Sequence, residues 1–278
     1  NYPQEKTQLS PDISGTMVVY SEWAHICYDS SRASPYYTCP DIYTVDLATG
    51  NISVVSSRAT SQSFPRIDGS IVVWHETDTV SGKLEVWFRA MDQGQEQFIG
   101  YGKYPSISGS KIAYAYSWPP NLVIYDIQTK QRIVVNTTSE NFEPEIYGNI
   151  VVFSEKDAGG EKVFLYDLST GQKRVLTETA DAYPRVPRVF GNLVVYRDYS
   201  RNSNSELYLY DLSSSSEQRL TSMPATAEAD SDVHNGNVVF ISSFDQNSDL
   251  HLYAHQGFKC GDGICLRMAG ENKSSCAI

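Results

Sequence analysis

Clusters of basic residues are missing from this chain. It has 22 Lys and Arg against 33 Asp and Glu, which gives a formal net charge of −11, and the basic residues are scattered. A surface that binds nucleic acid or an anionic membrane needs concentrated positive charge. We therefore expect no nucleic-acid partner.

Long apolar runs are also missing. The longest are short stretches such as NIVVF and NLVVY, far below the roughly 20 residues that a membrane-spanning helix needs. We therefore expect no membrane insertion. The chain begins at Asn1 without a Met, which favours secretion through a cleaved signal peptide, although a trimmed chain would begin in the same way. The expected location is extracellular or the cell surface.

The common linear motifs of catalysis are missing too. The sequence has no H-E-x-x-H pair, no G-x-S-x-G elbow and no Gly-rich phosphate loop. This favours a protein that is not an enzyme and that carries no catalytic cofactor. A loop-built lyase or glycosidase remains an alternative, because such a site leaves no linear motif.

One pattern, P-x-[IV]-x-G-x-x-V-V-aromatic, describes five segments of a chain rich in Tyr (19 residues) and poor in Met (4 residues), and a sixth segment, SDVHNGNVVF, fits it with Asn235 at the Gly position. Successive copies of its fifth position are 54, 40, 39, 43 and 44 residues apart. A period near 40 in a sequence of strand-forming residues is typical of β-propeller blades. The fifth positions are Gly15, Gly69, Gly109, Gly148, Gly191 and Asn235.

Each of the first five repeats contains four predicted strands. Gly, or Asn in the sixth copy, supplies the positive φ of a tight turn between the first and second strands. The V-V-aromatic stretch is a buried second strand, and a third strand such as IYTVDL is followed by an outer strand such as QRIVVN. The sequence therefore predicts an all-β protein, a six-bladed propeller of four-stranded blades. The last repeat lacks an outer strand, and we expect residues 4–10 to supply it and close the ring.

The repeats resemble those of the TolB-type propeller family, in which a strand of the form IYxxDL precedes one of the form TGxxxxLT. IYTVDL at 42 and TGQKRVLT at 170 carry this resemblance, which covers residues 4 to about 255. It implies a propeller domain at 1–255 and a separate Cys-rich tail at 256–278. The frequent SPDG turn of the family is replaced here by [IV]-x-G, so the resemblance implies the fold and no binding motif.

The residues at the second position of the six repeats are expected to form one ring at a channel mouth. A ring of mixed charge is suited to binding a cation or a polar ligand. Alternatively, the charges neutralise each other and are only solvated. The ring would consist of Asp12, Arg66, Ser106, Glu145, Arg188 and Asp232.

The first repeat is longer than the others, and the excess lies in EWAHICYDSSRASPYYTCP. We predict a long loop pinned by a Cys27–Cys39 disulfide, because these cysteines are 12 positions apart; two free thiols are the alternative. The aromatic residues of this loop and of a second loop, YSWPPN, form a candidate contact surface. A loop pinned only for protease resistance is equally open. The candidate contact residues are Trp23, Tyr28, Tyr36, Tyr37 and Trp118.

The tail resembles a short module, C-G-D-G-x-C followed by E-N and C, that ends secreted bacterial and archaeal proteins. Its three cysteines, Cys260, Cys265 and Cys276, allow one disulfide and leave one cysteine free or joined to another chain. Asp262, Glu271 and Asn272 offer oxygen ligands to Ca²⁺, and no other cofactor is expected. Asn51, Asn136 and Asn272 begin N-glycosylation triplets.

These features favour an extracellular, non-enzymatic propeller that makes protein contacts. Its partner is expected to be copies of itself, assembled through the tail into a polymer or filament. The alternative is a cell-surface propeller that binds a ligand or a carbohydrate.

Overall fold

The structure of the 278-residue chain is a computed structural model. The structure describes residues 8–28, 36–78, 81–116, 119–138, 143–157, 160–177, 184–199, 205–221, 227–244 and 247–254. All regular secondary structure in these ranges is β-strand. Within the same ranges, no helix has the length and apolar character of a membrane span.

The first compact unit, Asn1–Ile146, contains three complete four-stranded antiparallel sheets. In each sheet the strands are neighbours in chain order. The first sheet consists of β1 (Gln8–Ser14), β2 (Met17–Tyr28), β3 (Tyr36–Asp46) and β4 (Ile52–Ser56). The second consists of β5 (Ser61–Asp68), β6 (Ile71–Thr77), β7 (Leu84–Ala90) and β8 (Glu96–Tyr101). The third consists of β9 (Lys103–Ser108), β10 (Lys111–Tyr116), β11 (Asn121–Asp126) and β12 (Arg132–Asn136).

The second compact unit, Tyr147–Ile278, contains the remaining sheets, and only β13 (Glu145–Tyr147) straddles the boundary. The fourth sheet joins β13 to β14 (Ile150–Asp157), β15 (Gly160–Asp167) and β16 (Gln172–Val175). The fifth consists of β17 (Pro184–Phe190), β18 (Leu193–Asp198), β19 (Glu206–Asp211) and β20 (Ser216–Arg219). The sixth consists of β21 (Ala227–His234), β22 (Asn237–Phe244) and β23 (Asn247–Ala254).

Six sheets in this order make the chain an all-β, six-bladed β-propeller, as the repeats predict. Each sheet is one blade, and β1, β5, β9, β13, β17 and β21, called here the first strands, lie at the edge of their blades. The last blade has three strands among the residues described. Of the predicted closing strand, residues 8–10 belong to β1, where Gln8 and Leu9 pair with β2 instead, while residues 4–7 lie outside the described ranges.

The core of each unit is formed by the second and third strands of its blades. In the first unit, Val72, Val73 and Trp74 of β6 are completely buried, as the V-V-aromatic pattern predicts. In the second unit, Val195 and Tyr196 of β18 are equally buried. Strands buried on both faces read as continuous apolar runs, because neighbouring blades cover both sides.

The turns between first and second strands confirm the role predicted for Gly and Asn. Gly69 has φ of 57°, and Asn235, which replaces Gly in the sixth repeat, has φ of 48°. Asn is one of the few residues other than Gly that tolerates this left-handed conformation.

A β-bulge precedes the turn in five blades, and sequence reasoning missed it; four of these bulges contain a proline. The residue before proline has a positive φ, and this residue and the proline together lie opposite a single aromatic residue of the second strand. A bulge leaves one residue out of the ladder, which accommodates a proline that has no N–H to donate. The four residues are Ser10, Phe64, Tyr104 and Val186.

Candidate functional site

Two of the predicted channel residues connect consecutive blades. Asp12 accepts the N–H of Ile67 on β5 through Oδ2 at 2.8 Å, and its Oδ1 accepts the N–H of Ile13 at 2.9 Å. Ser106, which is buried, donates to Oε1 of Glu145 at 2.8 Å and accepts the N–H of Ile146 at 3.2 Å. These side chains therefore hold the first strand of the next blade.

The other predicted channel residues make local contacts. Arg66 and Arg188 each donate to the carbonyl of the preceding proline at 3.3 Å. Asp232 accepts the N–H of Val233 at 2.8 Å, as Asp12 does in its own strand. The structure thus brings Ser106 and Glu145 together within the first unit. A ring of all six residues stays a prediction, because Arg188 and Asp232 belong to the second unit.

The residue just before the turn forms a second connection between blades, which sequence reasoning missed. Ser14 Oγ accepts the N–H of Gly69 at 3.0 Å, and Asp68 Oδ2 accepts the N–H of Gly109 at 2.6 Å. In the first two blades, a polar side chain therefore bonds to the turn of the following blade. This position has no fixed residue type in the repeat pattern, so its role becomes clear only from its contact with the turn of the next blade.

In the second unit, aromatic rings occupy the same position. The ring centroids of Tyr147 and Phe190 are 4.4 Å apart, and those of Phe190 and His234 are 4.1 Å apart. The rings are tilted by 45° and 49°. We call Tyr147, Phe190 and His234 the aromatic row. Its members come from three consecutive blades, β13, β17 and β21.

A buried histidine lies beside the bulges of the second and third blades. His75 is 6% exposed, and its Nδ1 accepts the backbone N–H of Tyr104 at 3.2 Å. Its ring stacks on Phe64 at 5.1 Å and meets the edge of Tyr104 at 5.6 Å. Burial lowers the pKa of His75 to about 3, with a further contribution from Lys103. The imidazole is therefore neutral at ordinary pH and acts as a hydrogen-bond acceptor.

Several buried acids near the ends of the second strands and the starts of the third strands are paired with bases. Glu76 is bonded to Arg58 at 2.9 Å, and burial raises the pKa of Glu76 although Arg58 opposes that shift. Glu206 is bonded to Arg219 at 2.5 Å and also accepts the Thr221 hydroxyl at 2.6 Å. Glu155 with Lys173 and Glu161 with Arg185 complete the set.

No group of three or more His, Cys, Asp and Glu side chains that could hold a metal ion occurs in the described part of the chain. The Ca²⁺ ligands proposed from the sequence, Asp262, Glu271 and Asn272, lie beyond residue 254 and so outside the described ranges. The cysteines of the tail, Cys260, Cys265 and Cys276, lie outside them as well, so both predictions stand as made.

The long segment of the first blade is a strand extension rather than a loop. β2 has 12 residues and β3 has 11, whereas β6, β10, β14, β18 and β22 have 6 to 8. Pairing of β2 with β1 ends at Glu22, and pairing of β3 with β4 ends at Ile42. Beyond these residues the two strands continue as a ribbon to the Tyr28–Tyr36 pair. The aromatic and β-branched residues of this stretch favour strand over loop.

The ribbon carries most of the predicted contact residues. Trp23, at its base, is 39% exposed, and Tyr28, Tyr36 and Tyr37 lie on its strands. The other predicted contact residue, Trp118, lies outside the described ranges.

The same ribbon holds the first two cysteines. Cys39 is fully buried. In the ladder Cys39 is opposite His25, and Cys27 is opposite Tyr37, so the two cysteines occupy neighbouring diagonal positions. The Cys27–Cys39 bridge stays a prediction.

Two of the glycosylation triplets are on exposed positions. Asn51 and Asn136 are exposed to solvent, as an acceptor asparagine must be. The third, Asn272, belongs to the tail outside the described ranges.

Comparisons with known proteins find matches among solved structures but none by sequence. No family model matches the sequence, and no curated protein matches it. The β-propeller domain of the Trilobed protease from Pyrococcus furiosus, described as having an open velcro topology, superposes with a TM-score of 0.68 at 12% identity. The match covers 89% of this chain and 82% of that domain.

Two further solved structures show the same fold. Pyrococcus horikoshii acylaminoacyl peptidase superposes with a TM-score of 0.66 at 13% identity over 91% of this chain and 45% of the peptidase. TolB from Acinetobacter baumannii superposes with a TM-score of 0.56 at 15% identity over 86% of this chain and 64% of TolB. The chain therefore spans less than two thirds of either protein. At such identities the likeness shows the propeller fold, which TolB-like proteins and peptidases share.

Proposed function

We propose that this chain is a non-enzymatic, extracellular propeller that makes protein contacts and assembles with copies of itself. The observation that carries the proposal is the ribbon of the first blade. It continues for six residues of β2 past the end of the pairing with β1, which is about 20 Å at the usual rise of a strand. Neither the blade pattern nor the core needs this extension.

A two-stranded ribbon is suited to adding strands from another molecule. An isolated hairpin is only marginally stable in water, so a partner that pairs with its edge stabilises it. Edge strands offer rows of backbone N–H and C=O groups, which is the basis of recognition by strand addition. The exposed Trp23 adds the aromatic anchor that protein interfaces favour.

The outer strands of the first and third blades support a second copy as the partner. Ile52 and Val54 on β4 are 65% and 48% exposed, and Ile133 and Val134 on β12 are 41% and 57% exposed. Exposed β-branched side chains on an edge strand favour pairing with another chain. The outer strands of the fourth and fifth blades, β16 and β20, instead read QKRV and SEQR.

In this arrangement the ribbon of one copy contacts an outer strand of the next copy, so the two copies use different parts of their surfaces. A head-to-tail contact of this kind produces a filament when it does not close into a ring. The tail, with its odd number of cysteines, is the second candidate for linking copies. Native and non-reducing mass measurements separate strand pairing from an intermolecular disulfide.

The test measures molecular mass against concentration by light scattering. In the double variant Ile133→Lys, Val134→Lys, two charges are placed on the apolar outer strand, and we expect it to stay monomeric where the wild type assembles. The matched control, Gln172→Lys with Ser216→Lys, places the same charges on exposed positions of β16 and β20 and should assemble like the wild type. A wild type that stays monomeric, or a β12 variant that assembles normally, rejects the proposal.

A further inference from the structure

The aromatic row departs from the rule followed in the first unit. At the same repeat position, Ser14 and Asp68 are small polar residues that bond to the next turn. Tyr147, Phe190 and His234 place three rings there instead, in contact with each other. The ring of Phe190 has no oxygen or nitrogen that could accept the N–H of the next turn, so at this position an aromatic surface replaces a hydrogen-bonding side chain.

Much of this surface is open to solvent. Tyr147 is 37% exposed and His234 is exposed, whereas Phe190 is half-buried and packs against the apolar cluster between the fifth and sixth blades. Exposed aromatic rings that touch each other are costly to leave in water and often mark a binding surface. Phe190 therefore anchors the row, and its two neighbours present the accessible rings.

Charged groups lie on the same strand faces as the row. Arg188 and Phe190 are two residues apart on β17, and Asp232 and His234 are two residues apart on β21. Side chains at i and i+2 point to the same side of a strand. A hydrogen-bond donor and an acceptor of opposite charge therefore border the rings on two consecutive strands.

We propose that the aromatic row is a carbohydrate-binding site that takes a neutral sugar residue of an oligosaccharide. A pyranose presents an apolar face of C–H groups, which packs on aromatic rings, and a rim of hydroxyl groups. The guanidinium of Arg188 and the carboxylate of Asp232 are suited to bonding these hydroxyls, since a few polar groups around an apolar floor are the usual design of a ligand site. By the same rule Glu145 lies on the same side of β13 as Tyr147, and its carboxylate already accepts the Ser106 hydroxyl. A neutral ligand fits this set of mixed charge better than a charged ligand does. The proposed site uses none of the residues of the ribbon, and the proposal involves no catalysis.

The test is titration of the whole chain with cellohexaose, chitohexaose and mannohexaose, followed by calorimetry. We expect at least one of them to bind. Tyr147→Ser and His234→Ser should each weaken binding by about tenfold or more. Serine is chosen because Ser14 occupies the equivalent position in the first blade, so the fold tolerates it there. Phe190 is left unchanged because it also packs against the core.

The control is Phe98→Ala, which removes another exposed ring, 44% accessible, from β8 of the second blade. It should leave sugar affinity unchanged. The proposal is overturned if none of the three sugars binds at millimolar concentration, or if Phe98→Ala weakens binding as much as Tyr147→Ser. Loss of self-association in Tyr147→Ser without any sugar binding would assign the row to a protein contact and overturn the proposal as well.

Discussion

The carboxylate of Asp12 and the backbone N–H of Ile67 are joined by a 2.8 Å hydrogen bond, although 55 residues separate them in the chain. The bond connects the first strands of two consecutive blades. Ile67 is buried, so its N–H has little access to water as a substitute acceptor.

Replacing Asp12 by Ala should lower the free energy of unfolding by about 1–3 kcal/mol, because it leaves the Ile67 N–H without this acceptor. Asp12→Asn keeps one carbonyl oxygen at the same place and should lose less. Urea unfolding, with the m-value checked for constancy, measures both variants. Equal losses in the two variants would show that the bond to Ile67 is not what Asp12 contributes.

His75 should make the protein less stable as the pH falls below about 6.5. The unfolded chain binds a proton at His75 near pH 6.5, whereas the folded chain resists it down to a pKa of about 3. Between these values the unfolded state holds more protons, so stability falls with decreasing pH by up to about 1.4 kcal/mol per pH unit. The effect is absent above pH 6.5.

The variant His75→Gln isolates this effect, because its amide oxygen still offers an acceptor to the Tyr104 N–H and does not titrate. Neighbouring Glu76 has a raised pKa, so ionisation of Glu76 lowers the stability as the pH rises above the ordinary pKa of a glutamate. This effect is the same in the wild type and in His75→Gln, and it cancels when the two are compared. The difference in stability between wild type and variant should therefore slope upward from pH 3 to 6.5. A flat difference would contradict a buried, neutral His75.

Arg219 should contribute to the stability of the fold mainly through its ion pair with Glu206. Glu206 is 3% exposed and bonds to Arg219 at 2.5 Å, so Arg219→Ala leaves a buried carboxylate with fewer compensating bonds. Because the Arg219 side chain is 36% exposed, we expect a loss of about 2 kcal/mol rather than the larger values of fully buried pairs.

Adding Glu206→Gln to Arg219→Ala should restore part of that stability, since the neutral amide no longer needs a cation. A double-mutant cycle measured by urea unfolding gives the coupling energy of the two side chains. Independent, additive losses would contradict the pairing.

Gly102 and Gly69 should respond differently to the same substitution. A Cβ on Gly102 would lie 2.6 Å from the carbonyl oxygen of Ala115 and from Cδ2 of Tyr114, whereas a Cβ on Gly69 would meet nothing within 4 Å. Gly102→Ala should therefore cost about 3 kcal/mol or more through overpacking. Gly69→Ala should cost about 1 kcal/mol, because only its positive φ opposes the new side chain. Thermal unfolding of the two variants compares these costs, and equal shifts would contradict the close approach at Gly102.

The blades could be predicted from the sequence because their signals are local and repeated. Pro at the first position and Gly or Asn at the fifth define a strand and a turn within a few residues, and the φ of 48° at Asn235 confirms even the exception. The buried second strands follow from their apolar runs for the same reason. Each of these features depends on backbone conformation or burial, which neighbouring residues largely determine.

The contacts between blades could not be predicted, because they join residues of different repeats through space. Nothing local distinguishes Ser14, which bonds to the next turn, from any other exposed serine. The spacing of Cys27 and Cys39 in a polar stretch predicts a pinned loop, whereas the strands pair as far as Tyr28 and Tyr36. The bulge before proline was missed because a positive φ at Phe64, Tyr104 or Val186 contradicts the intrinsic preference of these residues.

The side chains that join neighbouring blades differ from blade to blade, so they also determine which blades can be neighbours. Repeats with nearly equal backbones risk exchanging places with the same repeat of another molecule, which is how swapped dimers form. Ser14 accepts a hydrogen bond from the turn glycine of the next blade, whereas Phe190 contacts the aromatic ring of a neighbouring blade. A blade in the wrong position would therefore lose either the hydrogen bond or the ring contact. The variable positions of the repeat therefore favour one order of blades whose backbones are otherwise nearly equal.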